Sequence, residues 1–150
     1  MLGFTGQYDY TVDAKGRVAL PARLRRSLNP EAQDGFVLLR GIEPCIWLFP
    51  LDVWAEKEAE FRKLNTYQTE ARNMLRSIFR WMEQESLDAQ GRIMIPKRLK
   101  EYAQVSDKVT IIGAMDRIEI WNPDLLDQAT DDDSGVYGAL IERVMGHING

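Results

Sequence analysis

Asp13-Ala14-Lys15-Gly16-Arg17-Val18-Ala19-Leu20-Pro21-Ala22-Arg23-Leu24 returns later in the chain as Asp88-Ala89-Gln90-Gly91-Arg92-Ile93-Met94-Ile95-Pro96-Lys97-Arg98-Leu99, at an offset of 75 residues. Seven of the twelve positions are identical, and the Val18/Ile93 and Leu20/Ile95 exchanges keep apolar places apolar. Agreement of that length at a fixed offset marks an internal duplication. The chain is two copies of one folding unit, and whatever the motif does, it does twice.

Working outward from the first copy, Tyr8 to Val12 alternates and is rich in aromatic and β-branched residues, which predicts a strand. Asp13 to Gly16 is a turn, because Asp bonds the backbone two residues on and Gly takes the positive φ that closes a hairpin. Arg17 to Leu20 returns as a strand with Val18 and Leu20 on one face. Pro21 ends it and opens a short helix, Ala22 to Leu28, which stops before Asn29-Pro30. Gly35 to Arg40 and Cys45 to Phe49 read as two further strands around the turn Gly41 to Pro44. The second copy repeats the order: Glu85 to Leu87, the turn, Arg92 to Ile95, a helix from Pro96 to Tyr102, and strands Val109 to Ile112 and Arg117 to Trp121. Pro21 and Pro50 lie 29 apart and Pro96 and Pro123 lie 27 apart, which places a small indel between the helix and the third strand.

The copies are separated by a helical insert, with Asp52 as the expected N-cap of its first helix. A second helix from about Thr69 carries Ala71, Met74, Leu75, Ile78, Phe79 and Met82 at steps of three and four. Arg72, Arg76 and Arg80 recur on its other side and read as partners for nearby acids or a neighbouring subunit. After the second copy, Asp124-Leu125-Leu126 opens an equivalent helix. Asp127 to Gly135 reads as a solvated acidic loop, and Val136 to Ile148 as an amphipathic helix fraying at Gly146. The expected division is 1–54 for the first repeat, 55–82 for the insert, 83–126 for the second repeat and 127–150 for the tail.

Each half is near the size at which a lone core is marginal, so the two are expected to pack together. Cys45 is the only cysteine, which excludes an intrachain disulfide or thiolate cluster and leaves a core role for it. No leader and no run of about 18 to 20 apolar residues is seen, so the chain reads as soluble and intracellular. Its net charge is -4, yet the repeats run the other way. Residues 13–26 carry five bases against one acid, and residues 88–100 carry four against one. Positive charge concentrated in this way fits a polyanion.

The Asp13/Arg17 and Asp88/Arg92 pairs are open to two readings. A carboxylate beside a guanidinium is common in active sites, but a turn offers the simpler account, with the carboxylate accepting from turn amides while it holds the arginine. Asp13, Gly16, Asp88 and Gly91 are accordingly expected to be structural. Arg17 and Arg92 keep part of each fork for phosphate or guanine edges. Arg23, Arg25, Arg26, Lys97, Arg98 and Lys100 read singly as solvated helix faces and together as a surface along a phosphate backbone. Enzyme signatures are absent: the one histidine, His147, sits near the terminus and is expected to be solvated, and no phosphate-loop, dinucleotide or calcium-loop pattern occurs. No catalytic residue, cofactor or metal is expected.

Two copies of Asp-x-x-Gly-Arg, each followed by an apolar strand and Pro-x-Arg-Leu, flank an insert containing Ala71-Arg72 and Leu75 with Phe79. In this the chain resembles the MraZ family of bacterial transcription regulators, within the AbrB-like swapped-hairpin group, from Met1 to about Leu126. The resemblance implies a β-rich α+β fold: a double-split β-barrel in which the two halves of one chain act as a pseudo-dimer of swapped hairpins. It implies a nucleoid-associated cytoplasmic regulator that binds short direct repeats in double-stranded DNA, in the promoter of the division and cell-wall gene cluster that includes its own gene. It also implies a homo-oligomeric ring, with no membrane and no small-molecule substrate. Carried onto this chain, the DNA-binding residues are Arg17 and Arg92 at the centre, Lys15 at the turn tip, and Arg23, Arg25 and Lys97 nearby. Gln90 departs from the lysine at Lys15, so the first copy is expected to contribute more. The alternative is an antitoxin-like protein-interaction module working through the acidic tail and last helix.

Overall fold

A computed structural model describes residues 3–130 and 133–149, except for the side chains of Ser134 and residues 147–149. The expected loop positions Asp131 and Asp132 and the side chain of His147 lie outside the described residues.

In the first copy, β1 (Gln7–Thr11), the motif turn and β2 (Arg17–Ala19) lead into α1 (Ala22–Arg26), a 3-10 turn (Pro30–Ala32), β3 (Gly35–Arg40) and β4 (Ile46–Pro50). In the second, β5 (Glu83–Ser86), β6 (Arg92–Met94), α4 (Lys97–Ala103), β7 (Lys108–Ala114) and β8 (Arg117–Trp121) follow the same order. The insert is α2 (Leu51–Phe61) and α3 (Thr69–Phe79); α5 (Pro123–Ala129) and α6 (Ser134–Asn149) follow the second copy. The extra 3-10 turn in the first copy falls where the proline spacing puts the indel.

β1 and β2 do not form a ladder with each other. They part after the turn and pair with the other copy: β1 with β7 and β2 with β6, while β5 pairs with β3. The result is a six-stranded antiparallel sheet ordered β1-β7-β8-β4-β3-β5 and a two-stranded ribbon β2-β6. Exchanging the copies maps this order onto itself, so a pseudo-twofold axis passes between β8 and β4. The sheet ends at β1 and β5, and no ladder among the described residues joins it to the ribbon as a closed barrel. Glu83 and Glu85 on the short β5 edge discourage further pairing.

The main core lies between ribbon and sheet. Val18 and Ile93 turn inward from the ribbon and meet Phe36, Leu38, Ile46, Leu48, Ile111, Ile118 and Ile120 from the sheet, with Leu24 and Leu99 from α1 and α4. β3 is apolar from Phe36 to Leu39, where both its faces are covered. Phe36 and Leu38 enter the main core, while Val37 and Leu39 join Phe49 and Trp54 beneath α2 and α3. Aromatic contacts run from Trp47 through Phe49, Trp54 and Phe61 to Phe79, with centroids 5.8–6.2 Å apart, edge-on except for the tilted Phe49–Trp54 pair. Cys45 is fully buried, and burial pushes its thiol up to about 12.

Several local expectations are corrected. β4 runs directly into α2, so Pro50 takes the N-cap position and Asp52 lies inside the first turn, where it accepts from Asn29 Nδ2 at 2.9 Å. α1 stops at Arg26, and α5 extends through Ala129 into the stretch expected to be loop. α6 starts at Ser134 and continues past Gly146 without a break. Arg72 and Arg76 find neutral oxygens instead of acids: Arg72 donates to the Thr66 carbonyl and Thr69 hydroxyl, and Arg76 to Asn73 Oδ1.

Neighbouring ribbon positions separate core from surface. Ile93→Ala, at a fully buried side chain, is expected to lower stability by about 2–5 kcal/mol in a urea or thermal melt. Met94→Ala, at a side chain 39% exposed, should stay within about 0.5 kcal/mol.

Candidate nucleic-acid interface

Each motif turn is built around its aspartate. Asp13 Oδ1 accepts from the amides of Lys15 and Arg17, and Oδ2 accepts from Arg17 Nε, all at 2.9 Å. Asp88 repeats the set with the amides of Gln90 and Arg92 and with Arg92 Nε, again at 2.9 Å. Gly16 and Gly91 close the turns at φ +83° and +76°, and their amides donate to the carbonyls of Asp13 and Asp88. The aspartates hold the turns and aim the guanidiniums, the arrangement the turn reading anticipates.

Strand exchange makes the two turns one surface. The Leu20 amide donates to the Gly91 carbonyl at 3.0 Å, and the Ile95 amide to the Gly16 carbonyl at 2.9 Å. Arg17 Nη1 lies 3.9 Å from Asp88 Oδ2, the oxygen that already holds Arg92. With Val18 and Ile93 facing the core, the alternate ribbon positions Arg17, Ala19, Arg92 and Met94 face away from it. Arg17 stands opposite Met94 and Arg92 opposite Ala19. The arginine side chains are 25% and 31% exposed, and each commits only its Nε to its own aspartate.

The copies differ at the tips. Gln90 Oε1 accepts from Arg92 Nη2 at 3.3 Å and occupies part of that fork, whereas Lys15 is exposed and has no side-chain partner among the described residues. Arg25 donates Nε to the Leu20 carbonyl at 3.1 Å, and its guanidinium covers Gly91 so closely that a Cβ there would lie 2.7 Å from Nη1. At Gly16 the nearest atom to a Cβ would be Met94 Sδ at 3.5 Å, an ordinary contact. Arg25 is therefore partly engaged in bracing the second turn. Arg23 and Lys97 are exposed on α1 and α4 and make no side-chain bond among the described residues. Arg98 is drawn away: it stacks 4.3 Å from the centroid of Trp81 and donates to the Arg80 carbonyl. Met94 was not singled out from sequence, since one methionine in an apolar strand gives no sign of pointing outward; strand alternation against buried Ile93 was the available signal.

Fold and surface together define a class: a tandem, strand-exchanged β-ribbon protein whose two motif turns form one basic, pseudo-twofold surface. A family model described as "MraZ protein, putative antitoxin-like" matches residues 3–77 and 78–134, one match for each copy. The chain belongs to the MraZ family. A "Transcriptional regulator MraZ" from Cytophaga hutchinsonii is 38% identical over 142 residues, covering 95% of this chain and 94% of the relative. The protein of that name from Moorella thermoacetica is 35% identical over 95% of this chain and 96% of its own length. The one from Roseiflexus sp. is 40% identical over 80% and 81%. The relatives' names describe a regulator and not an enzyme, in keeping with the lack of catalytic motifs.

The turn bonds carry a pH signature. The Arg17 amide, then the Arg17 guanidinium and Lys15 amide, hold the Asp13 carboxyl below the usual aspartate range against an opposing push from burial. Arg92 and Gln90 do the same for Asp88. A carboxyl lowered in the folded state stabilises the fold fully above its unfolded pKa, and that contribution is lost as pH falls through the folded value. Melts from pH 7 down to pH 3 should therefore show an acid loss that is smaller in the Asp13→Asn/Asp88→Asn variant. An equal loss in both proteins would place the acid-sensitive groups elsewhere.

Proposed function

We propose that this chain is a sequence-specific DNA-binding transcriptional regulator. The observation that carries the reading is the β2-β6 ribbon, which presents both motif arginines on one outer face between two aspartate-built turns. The major groove of B-DNA admits a two-stranded β-ribbon, and arginine forks match the O6 and N7 acceptors of guanine. Arg17, with Lys15 beside it, reads base edges, and Arg92 makes the weaker second contact because Gln90 holds part of its fork. Arg23, Lys97 and the free part of Arg25 fix the protein on phosphates. Met94 and Ala19 offer apolar contact to thymine methyl groups.

The targets are short direct repeats in the promoter of the division and cell-wall gene cluster, including the chain's own gene, and the protein works in the cytoplasm on the nucleoid. A ring of copies supplies avidity. Several weak protomers on repeated sites gain effective concentration without new kinds of contact. The double-split barrel is the form in which ribbon and sheet would enclose the main core.

Titration against the DNA upstream of the chain's own gene, beside scrambled DNA of equal length and at two salt concentrations, tests the reading. The native fragment should be preferred, and the preference should survive higher salt. Arg17→Ala should cost about 1–3 kcal/mol of discrimination with the assembly intact, whereas Arg23→Ala or Lys97→Ala should weaken all DNA alike and lower the salt slope by about 1. Replacing dT with dU should weaken the natural chain more than Met94→Ala. Equal binding to both DNAs that disappears with salt would leave only a nonspecific basic surface. The antitoxin-like alternative draws on the family description and on the exposed tail. An interaction module would keep its partner after loss of Arg17 and Arg92.

A further inference from the structure

The two motif turns are not held alike, and the difference lies at Gly91. Its carbonyl accepts from the Leu20 amide at 3.0 Å, and the Leu20 carbonyl accepts from Arg25 Nε at 3.1 Å. The Arg25 guanidinium then lies over Gly91, where an added Cβ would be 2.7 Å from Nη1, 2.8 Å from Cζ and 2.9 Å from Nε. Leu20 and Arg25 belong to the first copy and Gly91 to the second, so these three residues clip the second turn to the first copy. At the other turn the Ile95 amide repeats the bond to the Gly16 carbonyl, and the likeness stops there. The residue 75 positions after Arg25 is Lys100, which has no Nε and no planar fork. Its side chain makes no hydrogen bond among the described residues, and Gly16 is half-buried where Gly91 is buried.

What the clip holds is the hub of the second turn. The Gly91 amide donates to the Asp88 carbonyl at 2.9 Å, and the Asp88 carboxylate accepts from the amides of Gln90 and Arg92 and from Arg92 Nε. A displacement of Gly91 therefore moves the backbone from which Arg92 is aimed. We propose that Arg25 is the positioning residue of the second motif turn: its guanidinium, seated on Gly91 and the Leu20 carbonyl, fixes the aim of Arg92 toward DNA. Neutralising a phosphate is a different task, which any cation at this position would serve. Positioning needs arginine, which supplies both the Nε donor and a flat face for the space a glycine leaves open. The inference deepens the DNA reading and rests on it for the effect on recognition, while the clip rests on the contacts alone.

The test uses the full chain, and Arg25→Lys is its main variant because the charge stays while the clip is lost. Amide exchange read by NMR should be about fivefold faster at Leu20 and Gly91, the loss of one ordinary hydrogen bond, and unchanged at Ile95 and Gly16. Gly91→Ala and Gly16→Ala strain backbones of similar positive φ, +76° and +83°, but only the first evicts Arg25. In urea melts Gly91→Ala should lower the folding constant about fivefold more than Gly16→Ala, and the excess should vanish when both are placed in Arg25→Ala. Against DNA, Arg25→Lys should keep the salt slope of the natural chain and lose about fivefold in preference for the native fragment over scrambled DNA. That loss should be absent in chains that already carry Arg92→Ala. The proposal is overturned if Leu20 and Gly91 exchange as in the natural chain, if the two glycine variants cost the same, or if Arg25→Lys keeps the full preference or loses it equally without Arg92. A natural chain with no preference for its native fragment would instead sink the DNA reading and the effect on recognition with it. The exchange and glycine comparisons use no DNA and would still decide the clip.

Discussion

Strand exchange between the two copies is the constraint from which the rest of the molecule follows. A motif turn closed by Asp13 sends β1 and β2 in different directions, and each finds its ladder in the other repeat. The second copy reciprocates through β5 on β3. Every half therefore lacks hydrogen-bond partners until the other half is present, and the main core draws side chains from both. A unit of this size has little core of its own, so interleaving turns two marginal halves into one cooperative body.

The same exchange converts a duplicated motif into a single surface. Had each turn closed a private hairpin, Arg17 and Arg92 would belong to separate sites. Instead the turn carbonyls of Gly16 and Gly91 accept from Ile95 and Leu20 of the opposite copy, and both guanidiniums approach Asp88. Approximate symmetry is broken at the tips, where Gln90 folds onto Arg92 and Arg25 covers Gly91. One turn is braced, and the other carries a lysine with no side-chain partner among the described residues.

The helices are distributed unevenly around this body. α2 and α3 cover one sheet face through Val37, Leu39, Phe49 and Trp54, and Trp81 is held between Arg40 and Arg98 at 4.5 and 4.3 Å. Arg98 is thereby held by Trp81 and the Arg80 carbonyl although it lies at the same motif position as Arg23, whose side chain makes no bond among the described residues. Equivalent residues in a duplicated chain need not share a role, because the insert follows only the first copy.

Much of this was legible without coordinates. The offset of 75 residues disclosed the duplication, the Asp-x-x-Gly-Arg spacing disclosed the turns, short apolar stretches between turn signals placed β3 and β8, and the period of 3.6 placed the start of α3. These are local properties, set by backbone conformation and by which faces must be apolar. Sequence alone could not show which strand each motif strand would pair with, since a ladder between β1 and β2 satisfies the same local rules; the resemblance suggested the exchange and the registers established it. Nor could it show that Asp52 would answer Asn29 instead of capping α2, or that Arg98 and Arg25 would be drawn onto Trp81 and Gly91. Those outcomes depend on groups distant in the chain meeting in space, where long side chains take the nearest ring, carbonyl or carboxylate. Local chemistry determined the elements, and the tertiary structure decided which of their charges remained available to a partner.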